Sequence, residues 1–465
     1  METTAARGVP AATVQDDDGR GAELRARGRP VRSAIAAGSV ALLLSVGAWP
    51  QAAPADQASP PRPAGQRPSA RPVSVWFTAG LGRLLEAMER NVREFNAGQP
   101  THRAEMALLP EGTYVDAVRA AGKVGELPCL LFIDGPLVPH FAWLGYFRPI
   151  EAFVPAALRA DMLPSLIRQG TFRGRLYALG IYDAGLGIYA NRRHLRAAGV
   201  RLPTVEQPWT LAEFEGALVK LDALPGVTYP LDLKINYGRG EFFTYAFSPI
   251  LQSMGGDLIE RRTYRRAHGV LDGPHSVAAM RRMQGWFQKG WASATPKDDD
   301  FRSGRSALSW VGHWTYFQYA EALGDDLVVL PMPDFGHGPR TGSGSWMFAM
   351  SSTCQNPEGA AAFLRFMVRR ENVLRWTSLH PGIPGRRSAL ALSPLHASNG
   401  PLHVYVEQVR LGWAVPRPLT PAYPTITAAF AEAVDAIIKG ADVAEALGRA
   451  AARIDADIQA HDGYP

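Results

Sequence analysis

The sequence predicts an α/β fold arranged as two lobes, and three observations support this. At 465 residues the chain is longer than one hydrophobic core usually serves, so two domains or one large two-lobed unit are expected. Strands alternate with helices at the start of the folded part, which indicates a mostly parallel sheet covered on both faces. A mainly helical middle part then gives way to a further strand and helix.

The first lobe is predicted from alternating elements. Residues 73–77 (VSVWF) alternate like a strand, and the helix after them carries apolar side chains on one face and ends near Gly98. A helix is predicted at 114–122. Further strands are predicted at 102–109, 130–133, 176–181 and 185–189.

Helices dominate the sequence after Asn191. They are predicted at 192–199, 210–224, 240–254, 274–290 and 306–323. A short strand at 327–330, a strand at 346–350 and a helix at 357–370 follow. Two more helices, at 422–439 and 442–460, are predicted to end the fold.

The first 72 residues are predicted to precede the folded part. Residues 1–32 end in an arginine-rich stretch, and residues 33–48 are an apolar run too short for a comfortable bilayer span. This order is typical of a secretory signal peptide, with cleavage expected after the alanine at 48, 53 or 55. No cysteine follows the run, so we expect a periplasmic protein without a lipid anchor. Residues 49–72 are rich in proline and alanine and predict a disordered linker.

The charge of the chain gives no indication of a nucleic-acid partner. The net charge is +6, and the first 72 residues hold nine arginines and six acidic residues. The rest carries 40 basic and 37 acidic side chains, without the concentrated basic stripe of a nucleic-acid-binding surface.

Two cysteines occur, Cys129 and Cys354. The simplest interpretation is that they are two small buried thiols. A single disulfide is the alternative, because an export signal implies an oxidising compartment.

Apparent cofactor and catalytic motifs lack the context they need. Residues 185–190 match G-x-G-x-x-A, but a dinucleotide site needs a helix that opens at the glycines, and these residues predict a strand. The acidic run at 298–300 lacks the alternating ligands of a calcium loop and is expected to be a solvated loop. G-x-S-x-G, H-E-x-x-H and P-loop motifs do not occur, and the eleven histidines are not spaced as metal ligands. We therefore expect no cofactor, no metal and no catalytic residues.

Five segments, in the same order along the chain, resemble bacterial extracellular solute-binding proteins of the sugar-binding type. The first is the strand and helix at 73–100, and the second is 171–200, which resembles the family's passage between lobes. The third, 301–314, is similar to the pattern F-x-x-G-x-x-A-[ML]-x-x-x-G-x-[WY]. The others are the returning strand and helix within 342–368 and the late G-x-[LI]-P-x-[RK] turn at 382–387.

The resemblance implies two α/β lobes joined by crossing strands, with the ligand bound between them. The first lobe would comprise 73–182 and 334–383, and the second 184–333 and 386–465. The chain would cross between them near Asp183, 331–334 and Pro384. Ligands of open α/β sheets bind at the carboxyl ends of the strands, and such a cleft closes by a hinge motion.

Strand ends and the resemblance together nominate ten ligand-binding residues. Aromatic rings stack on the apolar faces of sugars, while carboxylates accept hydrogen bonds from their hydroxyls. Trp310 and Trp314, four apart in the predicted helix 306–323, would share one helical face, and Trp314 is expected at the cleft. The ten candidates are Trp76, Thr78, Tyr114, Asp134, Tyr182, Asp183, Trp314, Ser345, Trp346 and Arg386.

The resemblance implies a monomeric receptor that captures a carbohydrate and delivers it to the permease subunits of an ABC-type importer. Two alternatives stay open. The cargo of the same receptor class would be glycerol phosphate or another polyol phosphate if Arg386 supplied a guanidinium fork. A secreted glycoside hydrolase would need two positioned carboxylates, and Asp134 and Asp183 are the pair that the sequence offers.

Overall fold

The computed structural model describes residues 70–79 and 82–465. The predicted signal peptide and nearly all of the predicted linker lie outside the described residues. The first strand begins at Arg71, two residues before the predicted start of the fold. In the described part of the chain, no helix combines the length and the apolar content needed to span a bilayer.

The described strands and helices are numbered here in chain order. The strands are β1 (Arg71–Thr78), β2 (His102–Leu109), β3 (Leu130–Asp134), β4 (Thr171–Phe172), β5 (Arg175–Leu176), β6 (Ala178–Gly180), β7 (Tyr182–Asp183), β8 (Leu186–Asn191), β9 (Leu231–Asp232), β10 (Leu308–Gly312), β11 (Leu327–Leu330), β12 (Thr341–Ser343), β13 (Trp346–Met350), β14 (Ile383–Pro384) and β15 (Ala414–Pro416). The helices are α1 (Arg83–Gly98), α2 (Glu111–Val124), α3 (Val138–Trp143), α4 (Ala156–Asp161), α5 (Pro164–Gln169), α6 (Arg192–Ala197), α7 (Leu211–Asp222), α8 (Glu241–Ser253), α9 (Pro274–Gln288), α10 (Tyr316–Leu323), α11 (Pro357–Met367), α12 (Arg370–Leu379), α13 (Arg387–Leu390), α14 (His403–Arg410), α15 (Tyr423–Ile438) and α16 (Val443–Ala460).

The first sheet has the strand order β2-β1-β3-β13-β6. Strands β1, β2 and β3 are parallel, so their carboxyl ends share one edge. Strand β13 runs antiparallel to β3 and begins at that edge, where Trp346 is paired with Asp134. The buried side chains of β1 and β3 form the core beneath it, and the rings of Phe77 and Phe132 stack 4.7 Å apart. The ends of β1 and β3 and the start of β13 therefore lie at the same edge of the sheet.

The second sheet has the order β11-β8-β10-β9, with β8 antiparallel to both β10 and β11. Helices α8, α9, α15 and α16 pack against one another beside it. Trp310 of β10 is 1% exposed and donates its indole N–H to Ala246 O over 3.0 Å, so it belongs to this core.

The predicted helix at 306–323 is wrong in its first half. Residues 308–312 form strand β10, and α10 begins only at Tyr316. Residues 308–312 (LSWVG) are all buried, and each is paired with a residue of β8, which holds them in a strand. Trp310 and Trp314 therefore do not share a helical face, because Trp314 lies in a short 3₁₀ turn after the strand.

Short crossing segments join the two sheets. Strand β7 pairs with β14, so Asp183 lies opposite Ile383 and Tyr182 opposite Pro384. The chain returns from the second sheet at Gly344 (φ +129°), a conformation that favours glycine strongly. Asp334 still pairs with Thr210 of the second lobe, so the return lies about ten residues beyond the predicted crossing at 331–334.

Cys129 and Cys354 form a disulfide with their Cα atoms 4.3 Å apart. It joins the residue before β3 to the loop after β13, two strands that are neighbours in the sheet. The interpretation as two buried thiols is therefore wrong.

The acidic run 298–300 is also more than a solvated loop. Asp300 is 4% exposed, accepts hydrogen bonds from the Tyr229 hydroxyl and the Lys297 N–H, and pairs with Arg305. Asp298 contacts the buried Lys234. The run thus anchors the segment from 229 to 237. Within residues 70–79 and 82–465, no group of three metal-binding side chains lies close enough to hold an ion.

Candidate ligand-binding cleft

The first wall of the cleft is the edge where β1 and β3 end and β13 begins. Trp76, Asp134 and Trp346 lie there, and both tryptophans are half-buried. Trp346 stacks on Phe132 with ring centroids 5.5 Å apart. Tyr114 is fully buried behind this wall and donates its hydroxyl to Trp76 O over 3.1 Å. Tyr114 thus supports the wall instead of forming its surface.

The second wall follows β10. Trp314 is half-buried, its ring lies 6.0 Å from that of Tyr245, and its indole N–H points to the Tyr237 hydroxyl at 3.4 Å. Gly312 makes this placement possible, because a Cβ atom there would come within 2.0 Å of the Trp314 ring. Trp314 therefore presents an aromatic surface on the side of the second lobe.

Arg417 connects the two walls. Its Nη1 and Nη2 donate to the two carboxylate oxygens of Asp134 over 2.6 and 2.8 Å, and Nη1 also donates to Glu241. The guanidinium is 5.0 Å from the centre of the Tyr245 ring. Arg417 is 6% exposed. The Glu241 side chain keeps 36% exposure, and the protein around the rest of it raises its pKa by partial desolvation. Glu241 therefore lies in a narrow, solvent-reaching part of the cleft.

Asp183 fixes the crossing segments at the base of the cleft. Its Oδ1 accepts from Ala184 N–H (2.8 Å), Gly344 N–H (3.2 Å) and the Gln169 side chain (3.4 Å). Ser345 N–H donates to the same Gln169. Two crossing segments are thereby tied to one carboxylate, whose Oδ2 has no hydrogen-bond partner in residues 70–79 and 82–465.

A pair of buried histidines lies beside Tyr182. The Nε2 atoms of His313 and His380 are 3.0 Å apart, so one ring donates to the other. The Tyr182 ring is 4.9 Å from His380 and 5.5 Å from His313. Burial lowers the pKa of His380 to about 3 and that of His313 well below its usual value, so both rings are neutral near pH 7. This pair links the segment after β10 to the segment after α12.

Several buried polar atoms around the cleft have no hydrogen-bond partner within the part of the chain that the structure describes. They are Asp183 Oδ2, the Tyr245 hydroxyl, His313 Nδ1 and Arg417 Nε. Buried polar atoms in folded proteins are nearly always hydrogen-bonded. Asp183 lies at the crossing between the lobes and the other three residues lie in the second lobe, so these atoms are available to a polar molecule in the cleft.

The remaining predicted site residues lie apart from this surface or are occupied. Thr78 is fully buried and donates to Ala79 O, and the Ser345 hydroxyl donates to Trp346 O. Arg386 donates to Asp161 over 2.6 Å and to Val368 O over 3.1 Å. The structure does not bring Arg386 together with the tryptophans, because its side chain pins β14 to α4 instead.

Sequence reasoning missed Arg417 and Glu241. Arg417 lies in a proline-rich loop without a recognisable motif, and it is about 280 residues from Asp134 along the chain. Glu241 is the first residue of α8, where a carboxylate is expected for helix stability alone. Glu111, in contrast, has a local signal, since it follows β2 at the same sheet edge as Asp134.

The sequence profile of a family described as "Bacterial extracellular solute-binding protein" matches residues 92–400, about two thirds of the chain. A protein described as an uncharacterized lipoprotein in the oleD 5′ region of Streptomyces antibioticus is 25% identical over 362 residues. That alignment covers 75% of this chain and 76% of the relative.

Solved structures show the same fold. The GacH receptor of Streptomyces glaucescens GLA.O, solved unliganded and with acarbose, aligns with a TM-score of 0.72 and 21% identity, over 85% of this chain and 100% of that one. The cyclic alpha-maltosyl-1,6-maltose binding protein of Arthrobacter globiformis aligns with a TM-score of 0.70 and 24% identity. That alignment covers 84% of this chain and 100% of that one. Maltose-bound MalE3 of T. maritima aligns with a TM-score of 0.72 and 20% identity. That alignment covers 83% of this chain and 99% of that one. These similarities confirm the predicted two-lobed α/β fold.

Proposed function

Because the chain belongs to the family of bacterial extracellular solute-binding proteins, we propose that it captures a carbohydrate between its two lobes and delivers it to an ABC-type membrane importer. The family is one of binding proteins, in agreement with the prediction of a receptor that performs no chemistry. The observation that carries the carbohydrate proposal is the pair of aromatic walls, with carboxylates between them.

The chemistry of the cleft suits a sugar. Trp76 and Trp346 on one side and Trp314 on the other offer flat apolar faces for the C–H surfaces of a pyranose. The carboxylates and unpartnered atoms described above match hydroxyl groups, each of which both donates and accepts. Solved structures of the same fold hold maltose and acarbose, which supports a glycoside ligand.

The proposed contact set differs from the ten residues nominated by sequence. We retain Trp76, Asp134, Tyr182, Asp183, Trp314 and Trp346, and we add Glu111, Glu241, Tyr245 and Arg417. Thr78, Tyr114 and Ser345 are proposed to support the wall from behind. A polyol phosphate receives less support as cargo, because the guanidinium of Arg386 is engaged by Asp161.

We place the receptor outside the cytoplasm, in the periplasm after cleavage of a signal peptide, and we expect it to act as a monomer. Fractionation of producing cells, with mass determination of the mature chain, tests the location and the cleavage. Recovery of the protein with the membrane would contradict the unanchored form, and the S. antibioticus relative is described as a lipoprotein.

Thermal unfolding in the presence of candidate ligands tests the proposed function. The panel comprises maltose, acarbose, tagatose, mannobiose and mannotriose, together with glycerol 3-phosphate. A ligand at 100 times its Kd adds about 2.7 kcal/mol to the free energy of unfolding, which a melting curve resolves easily. Stabilisation by a neutral sugar supports the proposal. Stabilisation by the phosphate alone, or by no member, contradicts it.

Trp314→Ala tests the aromatic wall. Loss of the stacking face should weaken sugar binding by about 2 kcal/mol, or roughly thirtyfold, because aromatic anchors dominate such contacts. The unliganded melting temperature should change little, since Trp314 is half-buried. Trp143→Ala is the matched control, because Trp143 is also half-buried but packs on His461 and Tyr464. Equal binding by both variants would remove Trp314 from the site.

A further inference from the structure

The cleft carries an excess of negative charge. Four carboxylates lie in it or directly behind its surface: Glu111, Asp134, Asp183 and Glu241. Arg417 pairs with two of them, Asp134 and Glu241, whereas a second cation, Arg83, lies over the Phe317 ring and forms none of the described ion pairs. The neighbouring His313 and His380 do not offset this charge, because burial keeps both rings neutral near pH 7. Asp183 and Glu111 have no cationic partner among the described ion pairs.

Tyr182 lies near the same groups. Burial raises the pKa of Tyr182, the carboxylates of Asp134, Glu111 and Asp183 raise it further, and the Arg417 guanidinium lowers it. Partial desolvation in the cleft raises the pKa of Glu111, and Asp134 raises it further. Glu111 and Asp134, which lie at the same edge of the first sheet, are therefore close enough to repel each other.

Two unpartnered atoms indicate where a donor-rich group would bind. Asp183 is fully buried, and its Oδ2, which can only accept when ionised, has no hydrogen-bond partner among the described residues. The Tyr245 hydroxyl, on a side chain that is 6% exposed, also has none within the described part of the chain. Both residues lie near Arg417: its guanidinium is 5.0 Å from the centre of the Tyr245 ring, and Gly344, which donates to Asp183, lies beside the same guanidinium. An ammonium group carries three donors and a positive charge, which matches an acceptor surface of this sign.

We propose that the ligand of this cleft is a carbohydrate that carries a protonated amine, held by the carboxylates of Glu111, Asp183 and Glu241. The inference rests on the proposed function and narrows the ligand class from sugars in general to amino sugars. Neutral sugars would still stack on the tryptophans, but they would leave the excess charge uncompensated. Anionic sugars would be repelled.

Calorimetric titration with matched sugars tests the inference. Glucosamine, galactosamine, mannosamine and chitobiose are each compared with the N-acetylated form and with the parent sugar that bears a hydroxyl instead. Each amine, its N-acetylated form and its parent sugar differ only at the nitrogen-bearing position and share the rest of the ring. At least one amine should bind about tenfold more tightly than both of its neutral counterparts, a difference of about 1.4 kcal/mol.

Charge-neutral variants assign the preference to the cleft. Glu111 is exposed at the first turn of α2, so Glu111→Gln removes a charge with little effect on the fold. Glu241→Gln keeps one oxygen to accept from the Tyr423 hydroxyl, and its amide group can donate to the Thr427 hydroxyl. Each variant should reduce the ratio of the affinity for the amine to the affinity for its neutral counterpart several-fold. Glu321→Gln, an exposed position of α10, is the control and should preserve the preference.

The outcomes separate the two proposals. If neutral sugars bind and no amine exceeds its neutral counterpart, the inference is overturned and the carbohydrate receptor stands. The same holds if the amine preference persists in both Glu111→Gln and Glu241→Gln. If neither these sugars nor the earlier panel bind, the carbohydrate receptor itself is contradicted.

Discussion

Arg417 shows how one side chain defines the cleft at the residue scale. Its guanidinium fork holds both oxygens of Asp134 from the first lobe and also reaches Glu241 at the start of α8. A bidentate arginine pair has fixed geometry, so it sets the spacing of the two walls. The same guanidinium lies over the Tyr245 ring. Arg417 therefore determines both the width and the charge of the site.

Arg417→Gln should lower the free energy of unfolding by about 3 kcal/mol, because it leaves the buried carboxylate of Asp134 and the partly exposed carboxylate of Glu241 without a counter-charge. Urea unfolding of the unliganded protein measures this. Arg410→Gln is the control, since Arg410 forms an exposed pair with Glu407 and should contribute less than about 1 kcal/mol. Equal losses in the two variants would show that the Arg417 network does not stabilise the closed arrangement.

Residues such as Arg417, which contact a partner far away in the sequence, are the part of the site that is hardest to predict from the sequence. Asp134 and Trp346 are predictable, because they lie at strand ends, and strand ends are recognisable from hydrophobic alternation. The partner of Asp134 lies in a loop far along the chain, and no local pattern indicates such a contact. Arg386 shows the opposite kind of error: its position near a crossing predicted a ligand contact, but its side chain forms an ion pair with Asp161.

At the scale of elements, hydrophobic periodicity predicted most strands and helices of the first lobe. Strands β1, β2 and β3 occur at their predicted positions. The prediction of one helix over 306–323 was wrong in its first half, because pairing with β8 holds residues 308–312 in a strand. Long-range strand pairing overrides local periodicity, and it cannot be seen in one sequence.

Gly344 is the element-scale feature that controls the return between sheets. Its φ of +129° is costly for other residues, and a Cβ atom there would lie 2.8 Å from Arg417 Nη2. Gly344→Ala should therefore destabilise the protein by about 1–3 kcal/mol and weaken ligand binding. Thermal unfolding and titration measure both effects.

Gly216→Ala is the matched control for that substitution. Gly216 lies within α7 with open space around its Cα, so alanine should stabilise the helix by about 0.5–1 kcal/mol. A neutral effect of Gly344→Ala would mean that the crossing segment adopts another conformation in solution.

At the scale of the whole molecule, contacts between the lobes combine a charged and a neutral network. Arg417 joins the walls near the ligand, and the His313–His380 hydrogen bond joins them beside Tyr182. Arg83 of α1 also lies over the Phe317 ring of α10, 5.7 Å from its centre. The described arrangement is therefore a closed one, and ligand exchange requires these contacts to separate by a hinge motion.

The histidine pair predicts a dependence of stability on acid. Burial holds the pKa of His380 at about 3, below the value of about 6.5 for an unfolded chain. Between these values the unfolded chain binds a proton that the folded chain does not, so stability falls as the pH falls from about 6.5 towards 3. His396, whose pKa burial lowers to about 4, acts in the same direction.

Urea unfolding between neutral and mildly acidic pH measures this slope, and His380→Asn isolates its source. The variant keeps a polar side chain but loses the titrating ring, so its stability should fall less steeply with acid, by up to about 1.4 kcal/mol per pH unit. His268→Asn is the control, because the His268 side chain is 76% exposed. A slope in His380→Asn as steep as in the unmodified protein would assign the acid sensitivity to other buried histidines, because burial also lowers the pKa values of His313 and His396.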